Sequence, residues 1–183
     1  MDKNKIIEAA FKLIVSNGLE EFSIAKLANE LNCTKSSIYN YFKSKDDLLN
    51  SVFVSKTTAL NTGIDINSDP EQVIRQYAHN CVANYEVFIF FHKYAHSNFI
   101  NKDTMCEVKK DFDLAKVVVD NYVAKYAKSS NVNPIIYEAL IFGPIHGLMM
   151  RGKISSTITD EDIDLLVDHI LSTLRKEDNE RNN

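Results

Sequence analysis

The chain of 183 residues contains no tryptophan and only five glycines and three prolines. Alternating valine-rich runs are nearly absent as well. A fold of many short strands needs turn residues and period-two patterning, so sandwiches and barrels are excluded and an all-α chain is expected. The three cysteines, Cys33, Cys81 and Cys106, are odd in number and widely spaced. They offer neither a disulfide framework nor a zinc knuckle, and they suit a reducing cytoplasm. The opening "MDKNKIIEAAF" lacks the apolar core of a signal peptide. The most apolar run, "ALIFGPIHGLMM", is too short to span a bilayer and carries Pro144 and His146. No membrane partner is therefore expected. Nucleophile elbows, phosphate loops, zinc motifs and dinucleotide fingerprints are also missing, so neither an enzyme nor a cofactor is expected.

What is present is a 45% hydrophobic, 25% charged composition typical of a globular protein. Helical periodicity recurs along it. Ile7, Ala10, Phe11 and Ile14 mark a first helix from Lys3 to Asn17, which Gly18 stops. Ser23 caps a second helix whose buried stripe is Ile24, Leu27, Ala28 and Leu31. Thr34 caps a third that runs through Phe42, and Ser44 caps a fourth, with Asp47 placed as in a capping box. The fourth helix continues towards Gly63. A linker over residues 62–68 precedes a helix restarted at Asp69-Pro70. One or two helices then cover Tyr77 to Phe99, followed by helices over Asp103 to Lys128, Asn133 to Gly152 and Thr159 to Arg175. The pattern predicts about nine helices. Residues 1–47 form a first domain, residues 48–178 a larger one, the helix from residue 45 links them, and residues 179–183 fray.

The net charge is −4, but "CTKSSIYNYFKSKDDLL", residues 33–49, opens very differently. Between Asn32 and Lys45 there are three cations, Lys35, Lys43 and Lys45, and no acid. A basic strip on an acidic body can still neutralise phosphates. Two short helices joined by a tight turn make a helix-turn-helix. Ala28 supplies the small residue at the crossing, Asn32 the turn residue tolerant of positive φ, and Ile38 the apolar anchor. Thr34, Lys35, Ser36 and Ser37 crowd the first turn of the second of these helices, where a recognition helix meets base edges. Tyr39 and Tyr41 offer hydroxyls to phosphate while their rings pack, and Lys45 stands at a helix N-terminus. Ile38 and Phe42 are expected to be core.

The stretch "NGLEEFSIAKLANELNCTKSSIYNYFKSKDDLL" resembles the DNA-binding region of the tetracycline-repressor-like (TetR) family of bacterial regulators. The Gly after helix one, the Ser before helix two, "IA", the S-I-Y-x-Y-F core and the S-K-D-x-L restart carry the resemblance, over roughly residues 3–53. Asn32 replaces the family's usual turn Gly, and Ser36 stands where many members have Gly. The resemblance implies a homodimeric DNA-binding regulator, in the usual case a repressor released from a palindromic operator by a small effector. An activator, or a structural or division factor of the same fold without an inducer, is the alternative. DNA-contact roles carried over by motif position fall on Ser23, Thr34, Lys35, Ser36, Ser37, Tyr39, Tyr41 and Lys45.

The remaining chain holds most of the aromatic residues. An apolar or aromatic effector is expected, with His79, His92, Tyr94, Phe112, Tyr122, Tyr137 and His146 as candidate lining. His92 and His96 stand at metal-ligand spacing, but no third ligand is evident, so no metal is expected. Gly143 and Gly147, four apart, place two bare patches on one helix face, and Pro144 should kink that helix near Leu140. Together with Ile163, Leu166, Val167, Ile170 and Leu174 of the last helix, these glycines are the candidate dimer interface.

Overall fold

A computed structural model describes residues 2–95, 97–127, 132–151 and 158–181; for residues 59, 109–113 and 176–181 only the backbone is described. Among the described residues there are nine α-helices, one 3-10 turn and no strand. The helices are α1 (Lys3–Asn17), α2 (Ile24–Glu30), α3 (Lys35–Tyr39), α4 (Lys45–Thr57), α5 (Pro70–Ala83), α6 (Tyr85–Tyr94), α7 (Lys102–Tyr126), α8 (Pro134–Met150) and α9 (Asp160–Arg181), with the 3-10 turn at Thr58–Asn61. The all-α architecture, with an N-terminal helix-turn-helix, is as expected.

Local chemistry sets the helix boundaries. The Asp2 carboxylate accepts from the Lys5 amide at 2.9 Å and so starts α1. Gly18, at φ 83°, ends it by donating its N–H to the Ile14 carbonyl. Asp69 accepts from the Glu71 amide, and Pro70 stands at the first position of α5. Asn133 and Pro134 repeat this arrangement for α8. Helix α3 stops at Tyr39 rather than Phe42, and α9 runs to Arg181 instead of Arg175; Asn84 separates α5 from α6, within the one or two helices expected there. Helix α8 stays one helix through Pro144. The Leu140 carbonyl that loses its donor there belongs to a residue 42% exposed, so water can replace the missing bond.

The chain forms two compact units, residues 1–59 with 90–108, and residues 60–89 with 109–183. As a unit, the head therefore extends beyond residue 47, and distant segments hold it together. Phe11 packs edge-on to Phe90 at 5.3 Å, and Phe53 stacks on Phe91 at 5.5 Å. Asn50, only 7% exposed, donates to the Asp46 and Phe99 carbonyls and accepts from the Asn101 amide. The Leu19 amide donates to the Tyr94 hydroxyl at 3.2 Å.

The second unit packs α5, α8 and α9 against one another. Val73, Ile74, Ala78 and Cys81 of α5, Ile141, Phe142, Ile145 and Met149 of α8, and Ile163, Val167, Ile170, Leu171 and Leu174 of α9 are its buried face. Arg75 clasps α9 by bonding Asp164 at 2.8 Å and also Asp168, and Arg175 pairs with Glu71. Asp69 takes Lys125 and Tyr126 of α7.

Candidate nucleic-acid interface

Helix α3 is held from below and bare above. Ile38 is fully buried and Phe42 nearly so, against a head core that includes Ile6, Leu27 and Leu48. This apolar underside fixes how α3 rolls, and so decides which residues face outwards. Ala28 lies in the helix crossing, 3% exposed. Asn32 adopts φ 50°, the left-handed geometry the turn requires, and the Cys33 amide reaches back to the Ala28 carbonyl at 2.9 Å. Asparagine thus fills the turn position without glycine.

The eight residues given DNA-contact roles fall into two groups. Thr34 caps α3 by accepting from the Ser37 amide at 3.2 Å, and its hydroxyl lies 2.9 Å from that of Ser37. Beyond this cap, Lys35, Ser36, Tyr39 and Tyr41 are exposed, the two tyrosines at 47% and 41%. They form one polar surface on and just after α3. The second group sits at the start of α2. Ser23 caps α2 through the Lys26 amide, and Lys45 donates to the neighbouring Phe22 carbonyl at 2.8 Å. The Lys45 ammonium also lies 5.6 Å from the Phe22 ring centroid. The Lys45 ammonium keeps two further N–H donors beyond its bond to Phe22.

Two more groups join this surface. Asn40 is exposed one turn beyond Ser36. The spacing 35, 36, 39, 40 of a single helix face could have revealed it, and an asparagine amide can bond an adenine edge bidentately. The Lys3 ammonium sits over the Phe42 ring at 5.3 Å and extends the basic strip from α1. Lys26 differs, because it is paired with Glu21 at 2.7 Å. That hydrogen bond and charge hold the Glu21 carboxyl below its ordinary value.

The residues proposed for an effector site are drawn from both units. His79 is partly exposed, its ring nitrogens 3.2 Å from Asp160 and 2.9 Å from Asp164, so it belongs to the α5–α9 clasp. His92 and Tyr94 belong to the head unit. The Phe112 side chain and all of His96 lie outside the described residues. In the second unit Tyr122 and Tyr137 are buried with ring centroids 6.1 Å apart. His146 shares a hydrogen bond with Tyr77 of α5. Among the described residues no group of three or more His, Cys, Asp or Glu could hold a metal.

Of the residues expected at a dimer interface, Ile163, Val167, Ile170 and Leu174 are at most 6% exposed within a single chain and pack α9 onto its own unit. Gly143 and Gly147 are exposed instead, and a Cβ at either would meet nothing within 4 Å. Their bareness therefore serves no packing inside the subunit. Ile136, Leu140 and Met150 are exposed at 47%, 42% and 57% and continue the same heptad-spaced stripe along α8. Leu166, with Leu165, Leu148, Ile158 and His169, lines an adjoining open groove between α8 and α9.

Comparison with known proteins places this geometry. Residues 6–52 match the family model for bacterial regulatory proteins, tetR family. Over 52 residues the chain is 38% identical to the fatty acid metabolism regulator protein of Bacillus subtilis, covering 28% of this chain and 27% of that protein. The aligned stretch spans about a quarter of the length of the curated relatives it matches. Similar folds extend much further. The transcriptional regulator FadR from Bacillus subtilis in complex with stearoyl-CoA superposes with TM-score 0.66 at 18% identity, over 94% of this chain and 97% of that one. AibR in complex with isovaleryl coenzyme A and operator DNA gives TM-score 0.72 at 16% identity, over 90% and 95%.

Proposed function

We propose that the chain, whose residues 6–52 match the tetR-family model and whose fold is shared with solved TetR-family structures along most of its length, is a homodimeric repressor released from a palindromic operator by a small, mostly apolar or aromatic effector. The observation that carries the DNA-binding part is the surface of α3. Its anchoring face is buried while Lys35, Ser36 and Tyr39 stand exposed on a strip without acids. Each head reads only a few base pairs, so specificity calls for two heads on a two-fold axis and an operator whose halves are spaced by whole helical turns. The heptad-spaced stripe of Ile136, Leu140, Gly143, Gly147 and Met150 supports the second copy, because it is apolar and exposed in the single chain.

An effector that prefers one separation of the heads weakens DNA binding by its differential affinity for the two states. The complexes of FadR with stearoyl-CoA and of AibR with isovaleryl coenzyme A support an acyl-type ligand. No helix among the described residues is long and apolar enough to cross a membrane, which fits a cytoplasmic site of action on DNA. Selection of bound duplexes from a random pool tests the reading. The expected winner is a palindrome whose binding weakens steeply with salt. Indifference to every duplex in dilute buffer, with no small molecule present, would overturn it.

A further inference from the structure

Helix α3 is anchored at Ile38 and, just past its end, at Phe42, both buried. Asn40 lies midway between these anchors and keeps the helical course, with φ −68° and ψ −21° and its N–H bonded to the Ser36 carbonyl at 3.0 Å. The Phe42 amide bonds the Ile38 carbonyl at 3.2 Å, so the turn that carries Asn40 closes on an anchor at either side. A helical residue is rotated by about 100° from the one before it, so a side chain two positions from an anchor points about 200° round, away from the core. Asn40 is two positions from both anchors, and Ser36 is two before Ile38. These two residues, one turn apart, form the outermost line of α3, and both are exposed. Lys35 and Tyr39 stand to one side of this line; Ser37, bonded to the Thr34 cap, stands to the other.

The two side chains on the line differ in what they can tell apart. A hydroxyl rotates and serves as donor or acceptor, so Ser36 can bond either base type or a phosphate. A carboxamide holds a donor and an acceptor side by side in one plane. Adenine presents the matching pair on its major-groove edge, the N7 acceptor beside the N6 donor, whereas guanine offers two acceptors there. The Asn40 carboxamide has no partner among the described residues. From Asn32 to Lys45 no acid stands in the way of a phosphate backbone that would bring bases to it. Asparagine is a poorer helix former than alanine, leucine or lysine, and an exposed one adds nothing to the core, so α3 itself gains little from it.

We propose that Asn40 sets base specificity: its carboxamide accepts from N6 and donates to N7 of one adenine in each operator half-site. This rests on the reading of α3 as a major-groove helix given above. Anisotropy titrations of the full chain and of Asn40→Ala test it, with the duplex selected from a random pool. Further copies of that duplex carry 7-deazaadenine, which has C–H in place of N7, at each adenine of both half-sites in turn. At one adenine position the replacement should weaken binding by the wild-type chain about fivefold or more, as for a lost base-edge contact. The same replacement should cost Asn40→Ala less than about twofold, because the contact is already gone. Selection repeated with Asn40→Ala should lose its preference at that position, and the variant should melt as the wild type does. Wild-type binding indifferent to every N7, equal losses by both proteins, or an Asn40→Ala variant that selects the same bases would each overturn the proposal. So would a variant weakened as much on scrambled as on selected duplexes, which would make Asn40 a phosphate contact. In all these cases the DNA-binding reading would stand; a wild-type chain that bound no duplex at all would bring down both.

Discussion

Replacing Lys35 by alanine isolates the chemistry of the reading surface from the stability of the head. Lys35 is exposed at the first position of α3, just after the Thr34 cap and outside the buried set Ile38, Phe42 and Leu48. Its loss should change folding stability by no more than about 0.5 kcal/mol, as for a surface substitution away from caps and core. On DNA the effect should double, because the proposed dimer would carry two such lysines. A bidentate contact to guanine contributes about 1–3 kcal/mol per head. The pair is then worth roughly 2–6 kcal/mol, or about thirtyfold to ten-thousandfold in affinity for the selected operator. Against scrambled DNA only the charge is lost, and the slope of log affinity against log salt should flatten by about 1.8, twice the value of about 0.9 per neutralised phosphate. Fluorescence anisotropy with labelled selected and scrambled duplexes, over a range of salt, measures both quantities. A variant that bound both duplexes as wild type does would refute the placement of α3 in the major groove. A loss equal on both would reassign Lys35 from base edge to phosphate.

Thr34→Ala removes the side-chain cap of α3 and should lower the stability of the head by about 1 kcal/mol, read from urea denaturation; an unchanged midpoint would mean that α3 does not depend on the cap. Leu140→Asp sets a charge in the middle of the exposed α8 stripe. It should convert the dimer to monomers in sedimentation at micromolar concentration and abolish tight operator binding, whereas a dimer that survives would move the interface elsewhere. The clasp between α5 and α9 should fail in acid. Arg75, and after it His79, hold the Asp164 carboxyl below its ordinary 3.8, and Lys125 holds that of Asp69 below the same value. A carboxylate with a depressed folded pKa stabilises above its unfolded pKa and loses that contribution as pH falls through the folded one. Thermal melts should therefore show the second unit weakening as pH drops below about 4. Arg75→Ala should blunt this dependence, and identical acid profiles for the two proteins would remove Arg75 as its cause.

The sequence by itself determined the helix starts, because the interactions that set them lie within a few residues. Asp2, Ser23, Thr34 and Ser44 each cap the helix that follows, and Gly18 ends α1. Even the capping box at α4 was legible in outline, although the Asp47 carboxylate accepts from the Lys43 amide instead of that of Ser44. Tertiary structure decided which apolar face meets which neighbour. The stripe Ile163, Val167, Ile170, Leu174 has the same periodicity whether it faces its own core or a second subunit, and only packing on α5 and α8 assigns it to the core. Helix α8 is apolar all round, so its sequence could not say which side is exposed. The head's ties through Asn50 to Phe99, and the bond from Tyr77 to His146 across 69 positions, were invisible for a simpler reason. A hydrogen bond between distant residues leaves no period in the sequence, and it exists only once the helices that carry its two ends have packed.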